Sequence, residues 1–159
     1  MNLYSMLTAR AERGHPVRVG LIGAGKFGAM FLAQARRMRG IHVLGIADLG
    51  LERAHQTLRQ VGWSEERFDV GSFEQALRSG KTLVTDDAGS LIAADGLDIV
   101  IEATGDPVAG VRHCLRAVEH GRHVVMVNVE ADALAGPLLA HQASRAGLVY
   151  SLAWGDQPS

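Results

Sequence analysis

Six consecutive residues carry the first chemical signal. Gly23, Ala24, Gly25, Lys26, Phe27 and Gly28 read G-x-G-x-x-G. The chemistry open to such a stretch is binding of a diphosphate. Gly23 lets the chain turn sharply, and Gly25 leaves no side chain between the backbone and a phosphate group. Gly28 lets a following helix pack close to a strand. The exposed N–H groups and positive end of that helix then meet the negative charge. An acid completes the pattern. Asp48 lies twenty positions beyond Gly28, the separation at which a carboxylate accepts hydrogen bonds from an adenosine ribose diol. On its own Asp48 argues for NAD, because a carboxylate repels a 2′-phosphate. Arg53 could reach such a phosphate, which softens the preference, so the cofactor is written as NAD or NADP. Lys26 either reaches the phosphate or is solvated.

These residues work only if the right elements hold them. Val17–Ile22 is an apolar run that predicts a buried parallel strand. A helix is predicted from the glycine turn to about Arg39, and a second strand over Ile41–Ala47, ending at Asp48. Further along, Leu51–Val61 reads as a helix stopped by Gly62, and Trp63–Val70 as an irregular polar connector. Ser72 and Gln75 form a capping box for a short helix ending near Gly80. A third strand follows over Lys81–Thr85, then a helical turn opened by Asp86 and Asp87. Leu97–Glu102 is the fourth strand. Pro107 suits the first position of a helix, with Val108, Val111, Leu115 and Val118 as its apolar stripe and Gly121 as its stop. His123–Val127 is the fifth strand. Glu130–Ala146 is a helical segment that Gly136-Pro137 should kink or restart. Leu148–Leu152, after Gly147, is the sixth strand. Six strands alternating with helices predict an α/β doubly wound parallel sheet, the Rossmann fold, ordered 3-2-1-4-5-6 with right-handed crossovers.

In that fold a ligand lies outside the carboxyl ends of the strands, near the reversal between the first and fourth. Ala103, Thr104 and Gly105 follow the fourth strand and should line the crevice, with Thr104 and backbone amides as donors. Asn128 follows the fifth strand. It either bonds the nicotinamide ribose or carboxamide, or closes a local Asx-turn. Glu130 reads as a helix-start acid, and Ala153-Trp154-Gly155-Asp156 ends the sixth strand. Cys114 reads as buried packing. The seven histidines show no metal-ligand spacing, so no metal site is expected. No general acid or base is nominated.

Bulk properties narrow the classes. The 159 residues fit one domain with a sizeable core. A net charge of −1, without a basic tract, gives no footing for nucleic acid. No apolar run is long enough to cross a bilayer. The N-terminus lacks the form of a secretory signal. The single cysteine cannot pair internally, which fits a reduced, cytoplasmic setting. Leu3, Met6, Leu7 and Arg10 suggest a short amphipathic helix. It lies on its own domain, covers a sheet edge, or meets another subunit in a homo-oligomer.

The glycine turn, the run Ile101–Pro107 and the run Gly121–Leu134 together resemble the N-terminal cofactor domain of homoserine dehydrogenase-like oxidoreductases. The last two look closest to a branch that carries a C-terminal SAF domain and includes deoxyxylulose-phosphate reductoisomerase-like enzymes. The resemblance covers about His15 to Pro158. It implies hydride transfer between a nicotinamide cofactor and a small carbonyl or alcohol substrate. Homoserine dehydrogenases often carry an Asn-Lys pair after the fifth strand. Here Asn128 matches and Val129 replaces the lysine, a departure that argues against homoserine itself. The reductoisomerase-like branch implies NADPH, against the preference of Asp48. The resemblance also implies a catalytic and oligomerisation domain beyond the sixth strand, which would position the substrate. The expected division is an N-terminal helical extension over 1–15, a dinucleotide-binding domain over 16–155, and the start of a linker over 156–159. The competing reading is a non-catalytic nucleotide-sensing regulatory module.

Overall fold

The computed structural model describes residues 2–153. Six parallel strands form one sheet in the order β3-β2-β1-β4-β5-β6. They are β1 (Val17–Ile22), β2 (Ile41–Ala47), β3 (Leu83–Thr85), β4 (Ile99–Glu102), β5 (His123–Met126) and β6 (Tyr150–Leu152). This is the doubly wound sheet the alternation predicts. The strand order reverses between β1 and β4, which pair in register from Val19–Ile99 to Ile22–Glu102. Two carboxyl ends therefore diverge at Ile22 and Glu102, and a crevice opens between their loops.

Seven helices surround the sheet among the described residues: α1 (Leu3–Glu12), α2 (Lys26–Ala35), α3 (Leu51–Gln60), α4 (Phe73–Ser79), α5 (Ala88–Ala93), α6 (Pro107–Glu119) and α7 (Val129–Arg145). Strand alternation, shifted once in β2 by the register irregularity between Val43 and Gly45, sorts the core into two layers. Val100, Leu44 and Val124 point to one face, under Leu91 and Ile92 of α5, Cys114 and Ala117 of α6, and Leu139 of α7. Ile101, Val43 and Ile46 point to the other, under Leu32 and Ala35 of α2 and Ala54 and Leu58 of α3.

Several elements depart from expectation, each for a packing reason. α2 ends at Ala35 rather than near Arg39, because the chain turns through Gly40 at φ +88° to enter β2. The connector over Trp63–Val70 is not merely polar. It contains a 3-10 turn, Glu65–Arg67, and it drives Trp63 and Phe68 into the core. The Trp63 indole N–H donates to the Leu32 carbonyl at 2.9 Å, which makes that burial tolerable. The buried face of α6 is Gly110, Cys114 and Ala117, while Val108 is exposed. α7 runs unbroken through Gly136-Pro137. Gly136 is buried, and a Cβ there would collide with the Asp132 side chain. Tertiary packing of Leu139 and Ala143 on the sheet offsets the backbone bond that Pro137 cannot make. β3, β4, β5 and β6 are each shorter than their apolar runs, since only part of each run finds a parallel partner. The cap at α4 forms as predicted: Ser72 Oγ accepts from the Gln75 N–H at 3.2 Å. Gln75 reaches back to the Gly71 N–H at 2.9 Å instead of to Ser72.

α1 buries none of its residues, and Leu3, Tyr4 and Met6 are exposed. It is tied to the domain where Leu7 lies against Gly40, a position a Cβ would block. No helix of the described residues is long and apolar enough to cross a membrane. The expected end of the sixth strand at Trp154–Asp156 and the linker over 156–159 lie outside the described residues.

Candidate functional site

The glycine turn leaves β1 at Gly23, whose φ is +99°. A Cβ at Gly23 would stand 2.6 Å from the Ala103 carbonyl oxygen, so the turn needs glycine on both conformational and steric grounds. Its N–H donates to the Ala47 carbonyl at 2.8 Å, tying the turn to β2. Gly28 is the second close approach. A Cβ there would stand 2.5 Å from the Gly23 carbonyl oxygen, so α2 packs directly on the turn that starts it. Gly25 is different. It is exposed, and a Cβ would meet nothing within 4 Å. The protein leaves this space clear. α2 starts here with no side chain capping it, so the helix presents its first amides and its positive end without a protein acceptor from a cap. A diphosphate fits that combination of cleared space and uncapped amides.

Asp48 braces the same corner. It is only 7% exposed. Its Oδ2 accepts from the Ala24 N–H at 2.8 Å. Its Oδ1 accepts from the Gly50 N–H at 2.8 Å and pairs with Arg53 Nη2 at 2.5 Å. Burial pushes this carboxyl up, but the Ala24 and Gly50 amides and the Arg53 guanidinium outweigh it. The net result lies below the ordinary value. Asp48 is therefore a fixed carboxylate at the carboxyl end of β2. Arg53, which is mostly exposed, is held beside it, so the two groups expected to weigh NAD against NADP stand in one ion pair.

Across the crevice, the loop after β4 is built from the inside. Glu102 is fully buried. Its Oε1 accepts from Thr104 Oγ1 at 2.6 Å and lies 3.2 Å from His113 Nδ1. Its Oε2 has no hydrogen-bond partner. Thr104 thus gives its hydroxyl proton to Glu102 in this structure, which leaves the loop's backbone amides as the other donors the sequence suggests. Asn128 is 3% exposed. Its Oδ1 accepts from the Ala131 N–H at 3.0 Å, capping α7. Its Nδ2 donates to the Asp106 carbonyl at 2.9 Å and lies 3.3 Å from Thr104 Oγ1. Of the two readings of Asn128, this geometry is that of the local turn. Asp106 in turn caps α6, accepting from Val108 and Ala109 at 2.8 and 3.0 Å. Those amide bonds, Ala109 first, hold its carboxyl below the ordinary range.

Between the two loops runs a crevice of about 690 Å³. Gly23, Gly25, Asp48, Arg53, Ala103, Thr104 and Gly105 line it, as the sequence suggests. Ala24, Lys26, Phe27, Gly28 and Asn128 do not. Ala24 and Gly28 shape the turn from behind, and Lys26 is exposed. Asp86 and Ala88 after β3, and Ala109, Arg112 and His113 on α6, line the crevice as well; reading the sequence did not single them out. Asp86 could have been found as the residue ending the third strand. Arg112 and His113 could not: Val111 and Leu115 of the expected stripe do pack against the core, but the buried centre of α6 is the small-residue seam Gly110, Cys114 and Ala117, which carries no apolar signal to orient the rest of the helix. Glu102 looked like the last residue of an apolar strand, and only the fold shows that its carboxylate organises the loop. Cys114 is buried beneath this region. Burial first, and then the nearby Glu102 charge, push its thiol up to about 12, so it is packing and not a nucleophile. Among the described residues no cluster of His, Cys, Asp or Glu could hold a metal ion.

The family model for the homoserine dehydrogenase NAD-binding domain matches residues 19–150. The chain belongs to that family. It is thus a nicotinamide-dinucleotide-binding domain, with NAD or NADP as its cofactor. A homoserine dehydrogenase from Methylobacillus glycogenes is 32% identical over 122 residues, 71% of this chain and 25% of that protein. The domain spans about a quarter of that relative's length. Among solved structures, a homoserine dehydrogenase from Thiobacillus denitrificans superposes with a TM-score of 0.68 at 22% identity, over 86% of this chain and 29% of that one. A myo-inositol dehydrogenase from Lactobacillus casei, in complex with NAD(H) and myo-inositol, gives 0.66 at 18% identity, over 87% and 36%. At these identities the two structures speak for the fold.

Proposed function

We propose that this chain holds NAD or NADP for an oxidoreductase acting on a small carbonyl or alcohol substrate. The diphosphate would lie on the turn at Gly23, Ala24 and Gly25, the adenosine ribose on Asp48, and the nicotinamide half along Ala103, Thr104 and Gly105. The bound nicotinamide ring supplies the hydride chemistry. The chain's own residues bind and orient it: Gly25 keeps the phosphate space clear, Asp48 fixes both the ribose position and the turn, and Glu102 holds the facing loop in shape. The single observation that carries this reading is the pairing of cleared space at Gly25 with an uncapped α2, braced by Asp48 through Ala24.

The narrower proposals follow the resemblance. The substrate chemistry is homoserine dehydrogenase-like or, closer to the runs Ile101–Pro107 and Gly121–Leu134, that of the SAF-domain, reductoisomerase-like branch. Val129 in place of lysine favours the second. Substrate-positioning groups and subunit contacts would come from a further domain, with residues 1–15 as a helical extension, 16–155 as the cofactor domain and 156–159 as the start of a linker. Titration of the purified chain with NADH and NADPH, beside an Asp48→Ala variant, tests the proposal. Saturable binding of at least one cofactor is expected, with the variant losing NADH more than NADPH. Unsaturable signals for both cofactors in the parent chain would remove it.

A further inference from the structure

The opposite end of the sheet holds a second concavity with different chemistry. It lies at the amino ends of β1 and β2, and none of its lining residues is shared with the cofactor crevice. Its volume is about 300 Å³, and Arg18, His42, Arg67, Arg78, Trp63 and Thr82 stand around it. No carboxylate lines it among the described residues. Three guanidiniums at one small cavity make a concentrated positive field.

Two of the three guanidiniums have partners. Arg78 pairs with Glu74 at 2.6 Å. Arg67 lies over the Trp63 ring, 4.4 Å from its centroid, and donates to the Arg36 carbonyl at 3.3 Å. Arg18 is the exception. It enters none of the ion pairs among the described residues. Its Nε is sealed from solvent with no acceptor. The neighbouring carboxylate, Asp98, accepts from the Arg18 main-chain N–H at 2.8 Å. The sealed Nε is out of an anion's reach, so any direct contact falls to the terminal nitrogens. What it shows is a guanidinium charge that no ion pair among the described residues offsets, beside a cavity where an anion would offset it. His42 reports the same field. Burial holds it below its ordinary value, and the charges of Arg18 and Arg67 add to this. The hydrogen bond to the Lys81 carbonyl, at 2.7 Å, works the other way.

We propose that this cavity binds a small oxyanion, a phosphate or carboxylate group, with Arg18 as the principal donor and Arg67 and Arg78 as flanking charges. Its size admits one such group and not a dinucleotide. The site is independent of the cofactor crevice, and its failure leaves the cofactor reading untouched.

The test titrates the 159-residue chain with inorganic phosphate and, in a separate arm, with succinate, at ionic strength held constant with chloride. NMR follows the Arg18 Nε–H and the His42 ring, and NADH binding is measured in parallel. Saturable shifts confined to Arg18, His42, Arg67 and Arg78 are expected. Arg18→Met should weaken the anion at least tenfold and leave NADH affinity unchanged. Arg78→Met, on an exposed side chain, should weaken it several-fold and serves if the first variant does not fold. Saturation by phosphate alone assigns the phosphate class, and by succinate alone the carboxylate class. Shifts linear in concentration for both anions, or wild-type affinity in a folded variant, overturn the proposal.

Discussion

The two loops that meet at the crevice solve the same topological problem in opposite ways. After β1, the chain turns on glycines, and α2 starts without a side-chain cap. After β4, the chain turns on polar side chains: Thr104 bonds Glu102, Asn128 bonds the Asp106 carbonyl, and Asp106 caps α6. The first loop leaves its amides for a ligand. The second consumes its side-chain donors inside the protein and offers a preformed wall. Preorganisation of one wall and openness of the other is what a bound diphosphate needs, since neither side must then rearrange to receive it.

That contrast can be broken most severely at Gly23. Gly23→Val should destabilise the fold by about 2–5 kcal/mol, combining a strained positive φ with overpacking against Ala103, and should abolish cofactor binding. Urea denaturation and NADH fluorescence measure the two losses. A variant that folds and binds normally would show that the turn has no need of glycine. Gly25→Val separates openness from stability. Its Cβ meets nothing, so the melting temperature should stay within a few degrees, while NADH affinity falls at least tenfold. A parallel loss of both would mean that Gly25 serves the fold.

Asp48 links the two properties. Its carboxyl lies below the ordinary value when folded. Its contribution is therefore fully present above the unfolded value of about 4 and is lost as pH falls through the lower folded value. Asp48→Asn should flatten that acid limb in a pH series of urea midpoints, and should weaken NADH roughly tenfold through the lost ribose acceptor. An unchanged acid limb would free Asp48 from its bracing role. Thr104→Val gives the smallest effect. It removes a donor from Glu102, which should cost about 1–2 kcal/mol of stability, with NADH affinity altered less than threefold. A tenfold loss of affinity at full stability would return Thr104 to the role of a direct ligand donor.

The contrast also marks where sequence reading works. The shape of the β1 loop was legible because its close approaches at Gly23 and Gly28 need the absence of side chains, and glycines at fixed spacing announce that absence. Asp48 was legible because it sits one residue past an apolar strand. The β4 loop was half legible. Ala103, Thr104 and Gly105 were placed at the crevice from strand order alone, yet the direction of the Thr104 hydroxyl depends on the buried Glu102 carboxylate, and the Asn128 amide is held by the Asp106 carbonyl, 22 residues before it in the chain. Arg112 and His113 escaped because Gly110, Cys114 and Ala117 make a small-residue seam. Three valines and a leucine nearby gave the stronger periodic signal, and one of them, Val108, faces water.

Local chemistry in the sequence determined the strands and the glycine turn, because each rests on residues near one another along the chain. The order 3-2-1-4-5-6 followed from the alternation of strands and helices, although it pairs β1 with β4 about eighty residues on. The tertiary structure decided what no local pattern encodes. It chose which face α6 buries, carried α7 through Pro137, put Trp63 in the core, and spent the polar side chains of the β4 loop on one another. It also gathered Arg18, Arg67 and Arg78 around one cavity. The physical reason is that hydrogen bonds and charges act through space. Which distant groups come within 3 Å of a given donor is settled only when the layers close.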